Sequence, residues 1–229
     1  MENIDIVDYS RQEALNNTLT RKLPFNVQNI IIGCGGIGYW LGLFLALLGY
    51  KNFILIDGDK IDYTNLNRIP VPQTWVGVNK AVALRRTIRT FRLDTKILTL
   101  STHITEETMD IIDELIAKTK EYEYSIERQN KHTIWDTTDN ALIQQKIWKK
   151  SQQNKKYIYR KLGYEAFDIG CYSNMDIWTA DDYTTGYRTT NANAITSAIS
   201  AGMGIFSRCL TDKDVSLNLK DLILSKESA

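Results

Sequence analysis

Cysteine, histidine and proline are all scarce in this chain of 229 residues, at three, two and three copies. The cysteines, Cys34, Cys171 and Cys209, stand far apart with no C-x-x-C pair. A four-cysteine zinc site therefore cannot be assembled, and no disulfide framework is expected. Three prolines and the lack of any Gly/Ser-rich run argue against an internal flexible linker. Neither charge sign is in excess: 28 Lys and Arg face 27 Asp and Glu, a formal charge of +1. That balance argues against a nucleic-acid tail or an acidic solvating segment. What is present is a hydrophobic fraction of 43%, enough for a sizeable core in one large domain. Such a composition suits a reduced, cytoplasmic, globular protein.

One segment challenges that reading. Ile30 to Tyr50 is 21 residues without a charge, long enough to span a bilayer. Gly33, Gly35, Gly36 and Gly38 interrupt it, and each glycine in a helix costs about 1 kcal/mol relative to alanine. Strand, glycine turn, buried helix and a second strand is the better parse, so no membrane association is expected. A signal peptide does not fit either, because the first apolar run lies too far from an acidic N-terminus.

Along the chain, Ser10-Arg11-Gln12-Glu13 forms a capping box that opens a helix over about 9–20. Strands are expected at Val27–Ile32, Phe53–Asp57, Lys96–Leu100 and His132–Asp136, with short ones near Lys156–Arg160 and Met175–Thr179. Helices are expected to follow the glycine turn as far as Leu48, then over Asn79–Phe91, Thr105–Lys118, Asn140–Ser151 and Ala192–Leu210. Alternating strands and helices predict an α/β fold: a Rossmann-like, doubly wound, mostly parallel sheet with helices on both faces and antiparallel strands toward the C-terminal part. The domain is expected over 1–211, with 212–229 a charged tail, partly helical. In such sheets ligands bind beyond the carboxyl ends of the strands.

Gly33-Cys34-Gly35-Gly36-Ile37-Gly38 fits G-x-G-x-x-G directly after a strand and opens a helix. Glycines allow a tight turn and close backbone approach to a phosphate, and the helix N-terminus supplies free N–H groups. Asp57, 19 residues beyond Gly38, ends the next strand, where a carboxylate accepts ribose hydroxyls. A dinucleotide cofactor and ATP are equally served so far. The following run, Asp57-Gly58-Asp59 to Asn65-Leu66-Asn67-Arg68, and Lys80 at the next helix start favour ATP. Two cations near the turn suit a triphosphate about to lose pyrophosphate, because charge on the leaving group grows in the transition state. A nicotinamide-dependent oxidoreductase is the alternative, although no proton donor for it is evident.

Tyr9-Ser10-Arg11-Gln12, the glycine loop, Asp57-Gly58-Asp59, Asn65-Leu66-Asn67-Arg68, Lys80 and Thr138-Asp139-Asn140 occur in one order over about residues 8–140. In that order the chain resembles the ubiquitin-activating-enzyme-like adenylyltransferase superfamily in its compact bacterial form. The resemblance implies that Asp57 holds the ATP ribose, that Arg68 and Lys80 hold the phosphates, and that Asn65 and Asp59 belong to the nucleotide site. It implies further that Asp139 holds Mg²⁺ and that Arg11 reaches across a homodimer interface to the partner's ATP. The implied reaction is adenylation of the C-terminal carboxylate of a ubiquitin-like or sulfur-carrier protein, or of a peptide, ending in glycine. That nucleophile, with a pKa of about 3.5, is already ionised at neutral pH, so the scarcity of histidine is no obstacle.

The chain also departs from the family pattern. Ile69 stands where glutamine is frequent, zinc cysteines are absent, and the segment between Thr179 and Asn191 is short and lacks cysteine. Cys171 is the nearest thiol for a covalent role, with a buried, inert thiol the simpler expectation. Lys146, Lys149, Lys150, Lys155, Lys156, Arg160 and Lys161 form a basic run with interleaved aromatics. A solvated helix and strand edge is expected there, in preference to the RNA contact of a tRNA-modifying relative. His103 and His132 lie outside every motif.

Overall fold

The computed structural model describes residues 27–105, 110–118, 132–153, 157–165, 168–173, 193–211 and 213–218. The expected helix over 9–20, Arg11 within it, the expected strand at 175–179 and the segment 179–191 lie outside these residues.

The uncharged run resolves as strand, turn, helix and strand. β1 (Gln28–Ile32) is buried along its whole length, as a parallel strand covered on both faces must be. α1 (Gly36–Leu47) buries most of its residues and begins at Gly35 with no side-chain cap and no acidic residue in its first turn, which leaves its N–H groups available to an anion. It ends in a Schellman arrangement. Gly49 has a φ of 105°, Gly49 N–H donates to Ala46 O at 3.0 Å, and Tyr50 N–H donates to Leu45 O at 3.1 Å. β2 (Asn52–Ile56) follows.

Two 3₁₀ turns, Tyr63–Asn65 and Gln73–Trp75, carry the chain to α2 (Lys80–Phe91), capped by the Asn79 side chain. β3 (Lys96–Leu100), α3 (Asp110–Lys118), β4 (His132–Asp136) and α4 (Ala141–Gln153) complete the alternation. β5 (Tyr157–Glu165), β6 (Asp168–Tyr172), α5 (Ala194–Ile205), a π-helical turn (Phe206–Thr211) and β7 (Val215–Asn218) close the described fold.

The seven strands run in the order β3-β2-β1-β4-β5-β6-β7. The first five are parallel, and β6 and β7 pair antiparallel. The expected architecture is therefore present. Strand order reverses between β1 and β4, so their carboxyl ends border the crevice where such sheets bind ligands. Alternate side chains feed two cores. Ile31, Leu55, Trp135 and Leu162 pack with α1 and α2, while Ile30, Ile32, Ile54, Ile56 and Ile134 face Ile112 of α3 and Ile147 of α4. Among the described residues no helix is long and apolar enough to cross a membrane.

Several expectations need correction. Thr105, expected to open α3, is not helical. The strand expected to end at Arg160 continues to Glu165 because its second half has an antiparallel partner in β6, which sequence reading missed. The helix expected to reach Leu210 leaves α-geometry after Ile205. Residues 215–218, read as part of a partly helical tail, form β7 against β6. The basic run is only in part a solvated face: Lys149 is exposed on α4, Lys155 and Lys156 lie outside the described residues, and the strand end of the run is interior. β5 lies inside the sheet, Arg160 is 5% exposed and Lys161 1%, and Lys150 is engaged by Asp110 at 2.5 Å.

Candidate functional site

The glycine turn is built by close approach. Gly33 has a φ of 91°, and a Cβ there would lie 2.9 Å from the Thr137 carbonyl oxygen. A Cβ on Gly38 would overlap the Gly33 carbonyl oxygen and come within 2.6 Å of Thr137 Oγ1. At Gly36 it would meet Ser197 Oγ at 2.6 Å and Arg68 Cδ at 3.0 Å. At Gly35 it would meet nothing within 4 Å. Three of the glycines therefore answer to the chain itself, and Gly35 faces open space before the uncapped start of α1. Just beyond β4, the Thr137 hydroxyl donates to the carbonyl oxygens of Gly33 and Ile32, which clamps the turn.

Asp57 is latched to the same turn. Its Oδ2 accepts Cys34 N–H at 2.6 Å and its Oδ1 accepts Asp59 N–H at 2.8 Å. Burial pushes its carboxyl up from the ordinary value, and these N–H groups together with the Lys80 charge oppose that rise. The remaining lone pairs are what a ribose diol would use. Lys80 Nζ donates to Asp59 Oδ2 at 2.8 Å, and that hydrogen bond holds the Asp59 carboxyl below its ordinary value. His103 rests its ring on Gly58, where any Cβ would run into it, and brings Nε2 to 3.6 Å from Asp59 Oδ1. Asn65 is buried in the turn it closes, its Oδ1 accepting Asp62 N–H at 3.1 Å, which leaves its amide nitrogen for any other partner.

Arg68 lies with its stem along Gly36. Its Nη1 donates to Thr64 O at 2.7 Å and to Asn67 Oδ1 at 2.9 Å. Ile69, which follows it, is buried in the core. Across the crevice, Asp139 is exposed and sits between two fixed neighbours. Thr138 gives its N–H and hydroxyl to Asp136 Oδ1 at 3.1 and 2.7 Å, and its carbonyl accepts Gln144 Nε2. Asn140 caps α4 by accepting the N–H groups of Leu142 and Ile143, each at 3.1 Å. Asp136 is fully buried, its carboxyl pushed up to about 6 by burial, and Tyr159 OH donates to it at 2.9 Å. Burial lowers the neighbouring Lys161 to about 8, with Asp136 acting in the opposite sense.

The fold thus gathers the glycine turn, Asp57, Asp59, Asn65, Arg68, Lys80 and Asp139 at the carboxyl edge of β1, β2 and β4. Sequence reasoning missed the residues that hold them: Trp40, Thr137, Gln144, Tyr159 and Asp136. Only Asp136 carried a signal, standing three residues before Asp139 at a strand end. Cys171 is buried and its thiol is pushed up to about 11 by burial, which disfavours the reactive thiolate. Chemically, the arrangement offers an open helix N-terminus for a phosphate, a carboxylate for a diol, two cations and an exposed carboxylate.

The ThiF family profile matches residues 9–207. The adenylyltransferase and sulfurtransferase MOCS3 of Xenopus laevis is 30% identical over 120 residues, 50% of this chain and 26% of that protein. The ubiquitin-like modifier-activating enzyme 5 of Drosophila ananassae is 30% identical over 119 residues, 51% of this chain and 30% of that protein. The matched stretch thus spans less than a third of either relative. In structure the chain is similar to Escherichia coli MccB in complex with AMPCPP and MccA. The TM-score is 0.64 and the identity 18%, over 94% of this chain and 72% of that one, a likeness of fold.

Proposed function

The chain belongs to the ThiF family, and on that premise we propose that it is an ATP-dependent adenylyltransferase acting on the C-terminal carboxylate of a small protein or peptide. The observation that carries this reading is the coupling of two features. Gly35 leaves open space at an uncapped helix N-terminus, and Asp57 is tied to the same turn by Cys34 N–H. A triphosphate and its ribose require both within one nucleotide's length. The names of the relatives point the same way, one an adenylyltransferase and one a ubiquitin-like modifier-activating enzyme.

In this reading Asp57 accepts the ribose hydroxyls, and the backbone of Gly33, Gly35, Gly36 and Gly38 approaches the phosphates. Asn65 borders the nucleotide, and Asp59 orients Lys80. Arg68 and Lys80 hold the phosphates that leave. A carboxylate oxygen of the substrate attacks the α-phosphorus, the bond from that phosphorus to the bridging oxygen breaks, and pyrophosphate departs with the electron pair. No proton moves, because the attacking carboxylate is already ionised. Asp139, exposed and with no hydrogen bond to its carboxylate among the described residues, would hold Mg²⁺ through one or two oxygens, the usual mode beside a triphosphate. Bound there, the ion would offset phosphate charge. Arg11 would complete the site from the second subunit of a homodimer, and the substrate would be a ubiquitin-like or sulfur-carrier protein, or a peptide, ending in glycine.

Pyrophosphate–ATP exchange with such a partner tests the reading. Arg68→Ala and Asp139→Ala are each expected to lower exchange about 10²- to 10³-fold, the usual cost of removing one charge-stabilising group. Full exchange in both variants would overturn the site. Tight NAD binding without Mg-ATP binding in calorimetry would overturn the activity.

A further inference from the structure

We propose that Trp40 is a positioning residue for Arg68, and that it sets the affinity for the terminal phosphates of ATP. The inference rests on the reading of Arg68 as a phosphate ligand and adds a residue to it. Trp40 stands on α1 one turn beyond the glycine loop, and its indole Nε1 donates to the Arg68 carbonyl oxygen at 2.9 Å. An indole N–H has no acceptor capacity and a single direction, so this bond fixes one backbone point against the helix that carries the phosphate turn. The Trp40 ring is itself steadied by Phe44, with centroids 5.6 Å apart.

The arginine is then held from three further sides. Its stem lies along Gly36, where a Cβ would come within 3.0 Å of Cδ. Its Nη1 is shared between Thr64 O and Asn67 Oδ1. The carbonyl of Asn67 accepts Ala194 N–H at 3.1 Å, which ties the loop to the first turn of α5. A guanidinium fork is planar, so fixing Nη1 and the stem also fixes where Nε and Nη2 point. Neither has a hydrogen-bond partner among the described residues. Trp40 is the tether from α1, the element that also presents Gly35 and Gly36. Without it the Arg68 backbone loses its hydrogen bond to α1 and is held there by side-chain packing alone, and a misplacement of 1 Å at such a contact is costly.

Trp40→Phe removes the N–H donor and keeps an aromatic ring in place. Calorimetry with Mg-ATP and with AMP reads the result. Mg-ATP is expected to bind about fivefold more weakly, the loss of roughly one hydrogen bond, while AMP, which lacks the terminal phosphates, binds within about twofold of the wild type. In an Arg68→Ala background the same change is expected to have no further effect on Mg-ATP, since residues acting through one another do not add. Unchanged Mg-ATP binding in Trp40→Phe, an equal loss for AMP, or additive losses in the double variant would each overturn the role of Trp40. Arg68→Ala binding Mg-ATP like the wild type would instead overturn Arg68 as a phosphate ligand, and the inference with it.

Discussion

The two sides of the crevice are made of different materials. On the β1–β2 side, strands of almost pure hydrocarbon, Ile30 to Ile32 and Phe53 to Ile56, end in glycines and backbone N–H groups. On the β4–β5 side, the strands bury Thr133, Asp136, Arg160 and Lys161, and Arg208 of the π-helical turn reaches Thr133 Oγ1 at 3.2 Å. The first side shapes its turn by steric exclusion, since at Gly33, Gly36 and Gly38 nothing larger than hydrogen fits. The second positions Asp139 through a network of hydrogen bonds behind it. Exclusion is insensitive to pH and intolerant of volume. A buried polar network is sensitive to protonation.

Four changes would break or sharpen that contrast. The largest effect is expected from Gly38→Ala, whose methyl overlaps the Gly33 carbonyl oxygen. Overpacking here should cost about 3 kcal/mol and abolish Mg-ATP binding, read by thermal unfolding and calorimetry. A variant as stable as the wild type would show that the turn is not sterically set.

Next is the pH response of the β4 side. Asp136 has a folded pKa of about 6, above the ordinary 3.8, so the folded state retains its proton longer than the unfolded chain. Its contribution is fully present below about pH 4 and is lost as pH rises through about 6. Asp136→Asn should therefore gain on the wild type across that window, by something on the order of 2 kcal/mol in denaturant unfolding. Parallel stability curves for the two proteins would argue that Asp136 is not buried as a proton-binding group.

Smaller still is Thr137→Val, which keeps the shape and removes the hydroxyl that joins β4 to the Gly33 carbonyl. A loss of about 1 kcal/mol is expected, with weaker Mg-ATP binding as the turn loosens. The least destabilising is Gly35→Ala, because a Cβ there meets nothing within 4 Å. Stability should change by no more than about 0.5 kcal/mol, as at an open surface position. Mg-ATP binding should nonetheless weaken tenfold or more, since the methyl would occupy the path of a phosphate. A variant that keeps both would show that Gly35 borders no ligand.

Legibility followed the same divide. The glycine turn, Asp57 and Lys80 could be read because their demands are local: fixed spacing after a strand, before a helix. Asp139 could be reached only through the resemblance of Thr138-Asp139-Asn140 to the family pattern. Trp40, Gln144 and Tyr159 carried no signal, because each acts on a residue 6 to 28 positions away. The basic run misled for a related reason. Lys150 and Lys161 are alike in sequence, yet one meets Asp110 and the other enters the sheet.

The sequence by itself determined the strand–turn–helix unit, the parallel alternation, and the placing of the glycine turn and Asp57 at the strand ends. These rest on periodicity and on backbone sterics acting over a few residues. Only the tertiary structure decided that β5 extends to meet β6, that 215–218 becomes a strand, and that Asp136, Arg160 and Lys161 lie in the interior. Strand pairing and the burial of charge depend on what arrives from elsewhere in the chain. No local pattern carries that information.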